Sequence, residues 1–456
     1  MRIFNKNLKN AIALFFAKTS PYWAPFFIKH RQYVALARFF VLSLPQIAYA
    51  NEKWKSKNLK VLCLNKSIFM DDVYQGLIPQ GYYNIYNVER RFFKMVIGHF
   101  LPYIVHDNKY KTDDPAMIKG KKKAAVFLEK FLDELLIIFP FEAMITGNMV
   151  YWAEQELANL LDKKGVAFVA CHKESIQAPK LYNQMLKVRL KGNEPFKGTM
   201  VLTYNERTKN QIIDGKMFDK NKVQVIGMPR LDTYHKIRKC KKYDSSHENN
   251  RPMVLCLLIS LISQLPCLVD PNDKIRWARL ADQTHQAIFE MANSYKDIDF
   301  IIKHKSSDQN QVDNILKRFV KIIPNNVHFT YTESLFTLVK KAKLIIGHNS
   351  SAVFEAIAAG RLCIIPHYEE VHDPRFSGRL IEYGDSVHYV DSPDALKKLT
   401  LNKVLSTKNN VKELNSAQKK LLKFWLGNID GCSGYRMAEG ILYAIQQKKS
   451  NNDSKI

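Results

Sequence analysis

Short apolar runs alternate with segments of helical spacing along most of this chain, in two series separated by a polar gap. The first series of runs covers residues 59–64, 141–146, 166–170, 200–203 and 223–226. Helical spacing fills 124–138, 150–161 and 206–213 between them. Strands that alternate with helices pair in parallel and build a doubly wound sheet. Residues 236–251 (KIRKCKKYDSSHENNR) then carry charge without apolar periodicity and read as a linker. A second series follows at 253–262, 300–303, 327–330, 344–346 and 362–365, with helical stretches at 275–295 and 334–342. The expected organisation is an α/β domain over 1–235, a linker over 236–251 and a second α/β domain over 252–447. The Asn/Lys/Ser-rich tail, 448–456, is expected to be disordered. The polar, Lys-rich stretch 109–123 is expected to be an exposed loop.

Charge narrows the partners. With 69 Lys+Arg against 43 Asp+Glu the formal net charge is +26, which favours polyanions: nucleic acid, anionic headgroups or phosphorylated substrates. No nucleic-acid module is recognisable and the basic residues are spread along the chain, so nucleic acid is not an expected partner. Seven cysteines without a C-x-x-C pair, several inside apolar runs, fit small buried side chains in a reducing compartment. No apolar stretch reaches the roughly 20 residues needed to span a bilayer, and no cleavage site follows the short run 11–17, so a cytoplasmic location is expected. At the start of the chain Phe4, Leu8, Ile12 and Phe15 recur at helical spacing, with Arg2, Lys6, Lys9 and Lys18 beside them. That pattern suits a helix lying on an anionic membrane surface and suits a core-facing helix equally. Pro21, Pro25 and Pro45 are expected to interrupt any long helix there.

Four segments carry groups suited to chemistry. In 344–367, LIIGHNSSAVFEAIAAGRLCIIPH, a buried strand ends at Gly347 and a helix begins near Ser350 or Ser351. A helix N-terminus beyond a strand's carboxyl end offers N–H groups and a positive dipole end to a phosphate. His348, Asn349, Ser350 and Ser351 are the candidate contacts, and Glu355 is placed to accept from ribose hydroxyls. One serine is also accounted for as an ordinary N-cap. In 301–307, IIKHKSS, a strand ends in Lys303, His304 and Lys305, which are suited to a departing phosphate. The turn GMPRLD, 227–232, offers Arg230 either as an anion ligand or as the partner of Asp232. The run after 166–170 brings His172 and Glu174 to an expected loop, where either could deprotonate an acceptor hydroxyl. His372 and Asp373, in EEVHDP, could hold a donor or form a turn at Pro374. Asp297 and Asp299 spell D-x-D but lead into a strand, while Asp71–Asp72 and Asp113–Asp114 read as surface pairs, so no metal site is expected.

Together these segments resemble bacterial GT-B glycosyltransferases and the CDP-glycerol glycerophosphotransferases of surface-polymer synthesis. GMPRLD resembles the Gly-x-Pro-Arg-x-Asp turn of the latter; KHKSS and GHNSS resemble the His and Ser-Ser motifs with which CMP-sugar transferases hold the nucleotide. The resemblance covers roughly residues 140–390. Lys305 stands where those transferases carry a proline, and Glu355 with its Ala-rich helix looks more like sugar transferases. The resemblance implies two Rossmann-like domains facing across a cleft (GT-B type) and no obligatory metal or cofactor. It implies a nucleotide-activated donor, CMP-Kdo or another nucleotide sugar, and a capsule, lipopolysaccharide or related glycan or glycolipid acceptor. Transfer of a polyol phosphate from CDP-glycerol or CDP-ribitol is the first alternative; a sugar-nucleotide 2-epimerase, which uses the same two-domain architecture but needs no acceptor and no basic membrane-facing surface, ranks below it.

Overall fold

The computed structural model describes residues 2–103, 105, 110–176, 194–239, 251–259, 277–319, 323–406 and 413–453. The chain forms two compact α/β units: Met1–Ser175 with Leu186–Asp232 and Trp425–Ile456, and Ile176–Met185 with Thr233–Phe424.

The first unit holds seven strands: β1 (Gln46–Ala48), β2 (Lys60–Leu64), β3 (Asn84–Val88), β4 (Ala143–Thr146), β5 (Ala167–His172), β6 (Met200–Thr203) and β7 (Val223–Val225). Their order is β1-β3-β2-β4-β5-β6-β7, parallel throughout except for β1, which pairs antiparallel with β3. Successive residues feed two cores. Val61 and Cys63 join Ile145, Val169 and Leu202 on one face; Leu62 and Leu64 join Met144, Phe168 and Val201 on the other. A sheet covered on both faces needs apolar residues at every position, which is why these strands read as continuous runs.

The second unit holds β8 (Met253–Leu257), β9 (Asp299–Lys303), β10 (Val327–Thr330), β11 (Leu344–Ile346), β12 (Leu362–Pro366) and β13 (His388–Val390). All are parallel, in the order β10-β9-β8-β11-β12-β13. Counted within the unit this is the 3-2-1-4-5-6 order of a Rossmann sheet, whose connections reverse direction between β8 and β11. Both units thus have the expected α/β class with parallel sheets.

Several boundaries differ from those expected. From Trp425 the chain returns to the first unit, so the second unit is an insertion rather than the remainder of the chain. The final helix, Ser433–Asp453, buries Met437, Ala438, Ile441, Ala444 and Ile445 in one core of the first sheet. Much of the expected tail is therefore helical, with Lys448 Nζ 2.5 Å from Asp162 Oδ1; residues 454–456 lie outside the described residues. Of the expected linker, 236–239 belong to the helix Leu231–Lys239 and 240–250 lie outside the described residues.

The expected Lys-rich loop is helical from Pro115, in the helix Pro115–Ile138. Asp114 caps it by accepting from the Ala116 N–H at 2.9 Å, and Met117, Gly120 and Ala124 turn inward while Lys119, Lys122 and Lys123 face out and the half-buried Lys121 donates to the Tyr110 carbonyl. The first helix, α1 (Arg2–Lys29), runs through Pro21 and Pro25. Pro21 supplies no N–H to the Ala17 carbonyl, and the Ser20 hydroxyl donates to that carbonyl at 2.9 Å instead. A second helix, α2 (Tyr33–Leu42), packs against it.

Cys63, Cys171, Cys256 and Cys363 are buried and free, as expected of small core side chains, whereas Cys432 is exposed. Cys240 and Cys267 lie outside the described residues. No described helix is long and apolar enough to cross a membrane.

Candidate functional site

The carboxyl end of β11 lies beside the reversal point of the second sheet, the position where open α/β sheets bind ligands. The Gly347 N–H still donates to the Ile364 carbonyl at 3.1 Å, and a Cβ there would lie 3.0 Å from both Leu257 Cδ1 and Val353 Cγ2. Close approach, rather than a turn, therefore asks for glycine. Asn349 follows with φ 40°, in the left-handed region where Asn is tolerated, and its Oδ1 accepts from the Ile381 N–H at 3.0 Å.

Ser350 is fixed from two sides. Its N–H donates to Tyr383 Oη at 3.1 Å, and that hydroxyl donates to the Ser350 carbonyl at 3.0 Å. The Ser350 hydroxyl accepts from the Ala352 N–H at 3.3 Å, so Ser350 is the N-cap of the helix Ser351–Ala358. Ser351, half-buried in the first turn, is the serine left for a ligand. Glu355 lies one turn further along and is only 6% exposed.

A cavity of about 230 Å³ opens between this turn and the segment that clamps it, lined in part by His348, Asn349, Ile365, His367, Glu382 and Tyr383. The volume is below the roughly 300 Å³ at which drug-sized ligand pockets begin. It suits a phosphate or one sugar ring, with the rest of a larger ligand lying outside. Its histidines are neutral near pH 7. Burial first, and then the charge of His367, brings the His348 pKa down to about 3; its ring packs edge-on against Trp277 at 4.8 Å and 70°. Burial and the nearby His372 lower His367 as well. The cavity therefore carries no histidine charge near pH 7; Ser351 is not among the residues that line it, and the N–H groups of Ser350, Ala352 and Val353 are already engaged by Tyr383 Oη, the Ser350 hydroxyl and the Ser350 carbonyl.

His304 follows β9 on the same edge, two strands away from β11, or roughly 10 Å at the spacing of paired strands. It is buried, with Nδ1 2.9 Å from the Lys305 carbonyl. That contact places a proton on Nδ1, since a carbonyl oxygen can only accept. Lys303 Nζ donates to the Tyr331 and His304 carbonyls at 2.8 and 3.1 Å, bracing the loop; the Lys305 side chain is exposed.

The remaining candidates belong to the first unit. His172 is the last residue of β5, in register with Thr203 and fully buried. The strand runs two residues beyond its expected end, so His172 is not in a loop. Glu174 follows it with its side chain 44% exposed and ion-paired with Lys173.

Arg230 is not placed as an anion ligand. It is buried, with Nη1 3.0 Å from both Asp72 Oδ1 and Tyr204 Oη. Asp232 is not its partner either; it accepts from the Ser433 and Gly434 N–H groups at 3.1 and 2.7 Å. Asp72, expected at the surface, is thus a buried counterion. Asp373 accepts from the Arg375 N–H at 2.9 Å in a turn at Pro374, while Glu370 accepts from the N–H groups of Arg279 and Leu280, both at 2.8 Å. No group of three or more His, Cys, Asp or Glu among the described residues could hold a metal ion.

Two polar features were not anticipated. Tyr383 clamps the Ser350 peptide from 33 residues away, a separation no local pattern reveals. In the first unit Arg90 is buried, ion-paired with Glu154 and 3.7 Å from the Tyr151 ring, and the Thr146 hydroxyl also donates to Glu154.

No family model matches the sequence, and no curated protein matches it. Among solved structures the chain is similar to the UDP-GlcNAc 2-epimerase of Methanocaldococcus jannaschii, with 13% identity and a TM-score of 0.47 over 85% of this chain and 99% of that one. It is similar to the UDP-GlcNAc 2-epimerase of Neisseria meningitidis bound to UDP-GlcNAc, with 13% identity and a TM-score of 0.45 over 84% and 99%. It is also similar to Anabaena HepE in complex with UDP and glucose, with 12% identity and a TM-score of 0.41 over 87% and 100%. Identities and TM-scores this low assign the chain to no family.

Proposed function

We propose that this chain is a GT-B-type transferase that takes a sugar from a nucleotide-activated donor and passes it to a surface-glycan acceptor. The observation that carries this reading is the clamped Gly347–His348–Asn349–Ser350–Ser351 turn. It stands at the reversal point of a parallel sheet, opens a helix and borders a cavity of about 230 Å³. In this reading Ser351 and the helix N-terminus hold a donor phosphate, with His348 and Asn349 supplying neutral polar contacts. Glu355 is assigned to the ribose, and His304, with Lys305, to the charge on the leaving nucleotide. Glu174, the more accessible of the two acid–base candidates, takes the proton from the acceptor hydroxyl.

A thermal-shift screen against CMP, CDP, UMP, UDP, GDP and ADP tests the reading. One nucleotide is expected to stabilise the protein, and Ser351→Ala and His304→Ala should each weaken that binding by about tenfold, the worth of one hydrogen bond to a charged group. A cytidine preference keeps CMP-sugars and CDP-polyols as donors, and release of CMP with transfer of a polyol phosphate would select the latter. A uridine preference moves the donor to UDP-sugars. If no nucleotide shifts the melting temperature, the proposal fails. Glu174→Gln should keep nucleotide binding and lose transfer by about a hundredfold or more.

A further inference from the structure

Helix α1 carries large apolar side chains on its exposed face as well as toward the core. Its buried face is made largely of small residues, Ala13, Ala17, Ser20 and Ala24, followed by Ile28. Asn10 fixes that face to β1, donating to the Gln46 carbonyl at 3.0 Å and accepting from the Gln46 N–H at 3.1 Å. Phe16, Trp23 and Phe27 flank that face, half-buried against Phe39 and Phe92, and Leu14 is exposed to one side. Five large side chains point the other way: Leu8 is 57% exposed, Ile12 43%, Phe15 62%, Tyr22 84% and Phe26 59%. At about 100° per residue these five fall within an arc of roughly 80°, about opposite the buried face. A soluble helix normally keeps polar residues on the face opposite its core. The stripe extends for roughly 27 Å along the helix, and exposed apolar surface this continuous marks a docking site.

Charge identifies the occupant. Lys9, Lys18, Lys29 and Arg31 are all exposed, and Arg38 is exposed on α2. No Asp or Glu precedes Glu52 in the chain. A second copy docking symmetrically would bring these cations against their own kind, which disfavours a dimer through this face. An anionic lipid surface satisfies both components, since it accepts apolar side chains 5–10 Å into its interface and attracts lysines at the rim. We propose that the exposed stripe of α1 docks the protein on the surface of an anionic bilayer, with Phe15, Tyr22 and Phe26 inserted between headgroups and Lys18 and Lys29 against them. The docking does not depend on which donor the second unit takes.

Flotation of the full chain with phosphatidylcholine vesicles, and with vesicles of phosphatidylcholine and phosphatidylglycerol, tests this. The protein should float with the anionic vesicles and remain at the bottom of the gradient with the neutral ones. Phe15→Gln combined with Phe26→Gln should cut recovery by about tenfold, and Lys18→Glu or Lys29→Glu by roughly fivefold each. Unchanged melting curves would establish that the variants fold. Equal recovery on both vesicle types, or full recovery of the folded Phe15/Phe26 variant, overturns the proposal. So does a dimer in sedimentation equilibrium that the Phe15/Phe26 variant dissociates, because that result gives the stripe to a second copy.

Discussion

A histidine in water takes a proton near pH 6.5, whereas His348 does so only near pH 3 and His285 only near pH 4, both chiefly because burial disfavours the charged ring. The unfolded chain therefore binds protons that the folded protein refuses. The stability owed to keeping each ring neutral is complete above pH 6.5 and is lost as pH falls below it. Between pH 7 and pH 5 each ring should remove about 2 kcal/mol. Urea unfolding at the two pH values should show that loss, and His348→Asn should reduce it by about half; an unchanged loss would mean that His348 is solvated. At this scale the sequence was only partly informative. The Gly-His-Asn-Ser-Ser turn was visible as a motif, and the N-cap reading of one serine holds for Ser350. The fate of Arg230 was not visible, since its counterion Asp72 lies 158 residues away. Removing one member of such a buried pair typically costs 3–5 kcal/mol, which makes Arg230 a structural residue before any other role is considered.

Most helix starts in the second unit are capped locally, by Ser334, Ser350 and Ser392, but one depends on a distant side chain. Glu370 accepts from the second and third N–H groups of the helix Ala278–Ser294, whose N-cap residue Trp277 supplies no side-chain cap. Glu370→Ala should cost about 2 kcal/mol in chemical denaturation, at the upper end for a helix cap because two donors lose their partner together. A cost below half of that would show the helix end to be satisfied by water. Elements buried on both faces were legible: the runs at 200–203 and 344–346 are strands with those bounds, and so is the half-exposed edge run at 327–330. The strands missed are β1, β3 and β13, which are short or half-exposed, so nothing sets their apolar content apart from loops. The helix α1 was misjudged for a different reason. Proline penalties assume that the orphaned carbonyl stays unpaired, and the Ser20 hydroxyl answers one of them.

The chain crosses from the first unit to the second and back, a connectivity that the polar gap at 236–251 gave no sign of. The helix that closes the circuit buries Met437, Ala438, Ile441, Ala444 and Ile445 against the first sheet. At about 2 kcal/mol for each large side chain and less for each alanine, that burial amounts to roughly 8 kcal/mol. The figure is comparable to the whole stability of an ordinary domain, about 5–15 kcal/mol. A chain ending at residue 431 should therefore lose amide-exchange protection in β2, β4 and β5 while β8, β9 and β11 retain theirs. Protection retained in all six would show the helix to be dispensable. The same connectivity imposes an order in time. A ribosome adding roughly 5–20 residues per second must make all of residues 233–424 before this helix emerges. For some tens of seconds Val61, Cys63, Ile145 and Val169 wait without their cover, so the nascent chain should be a client of the chaperones that shield apolar surface near the exit tunnel.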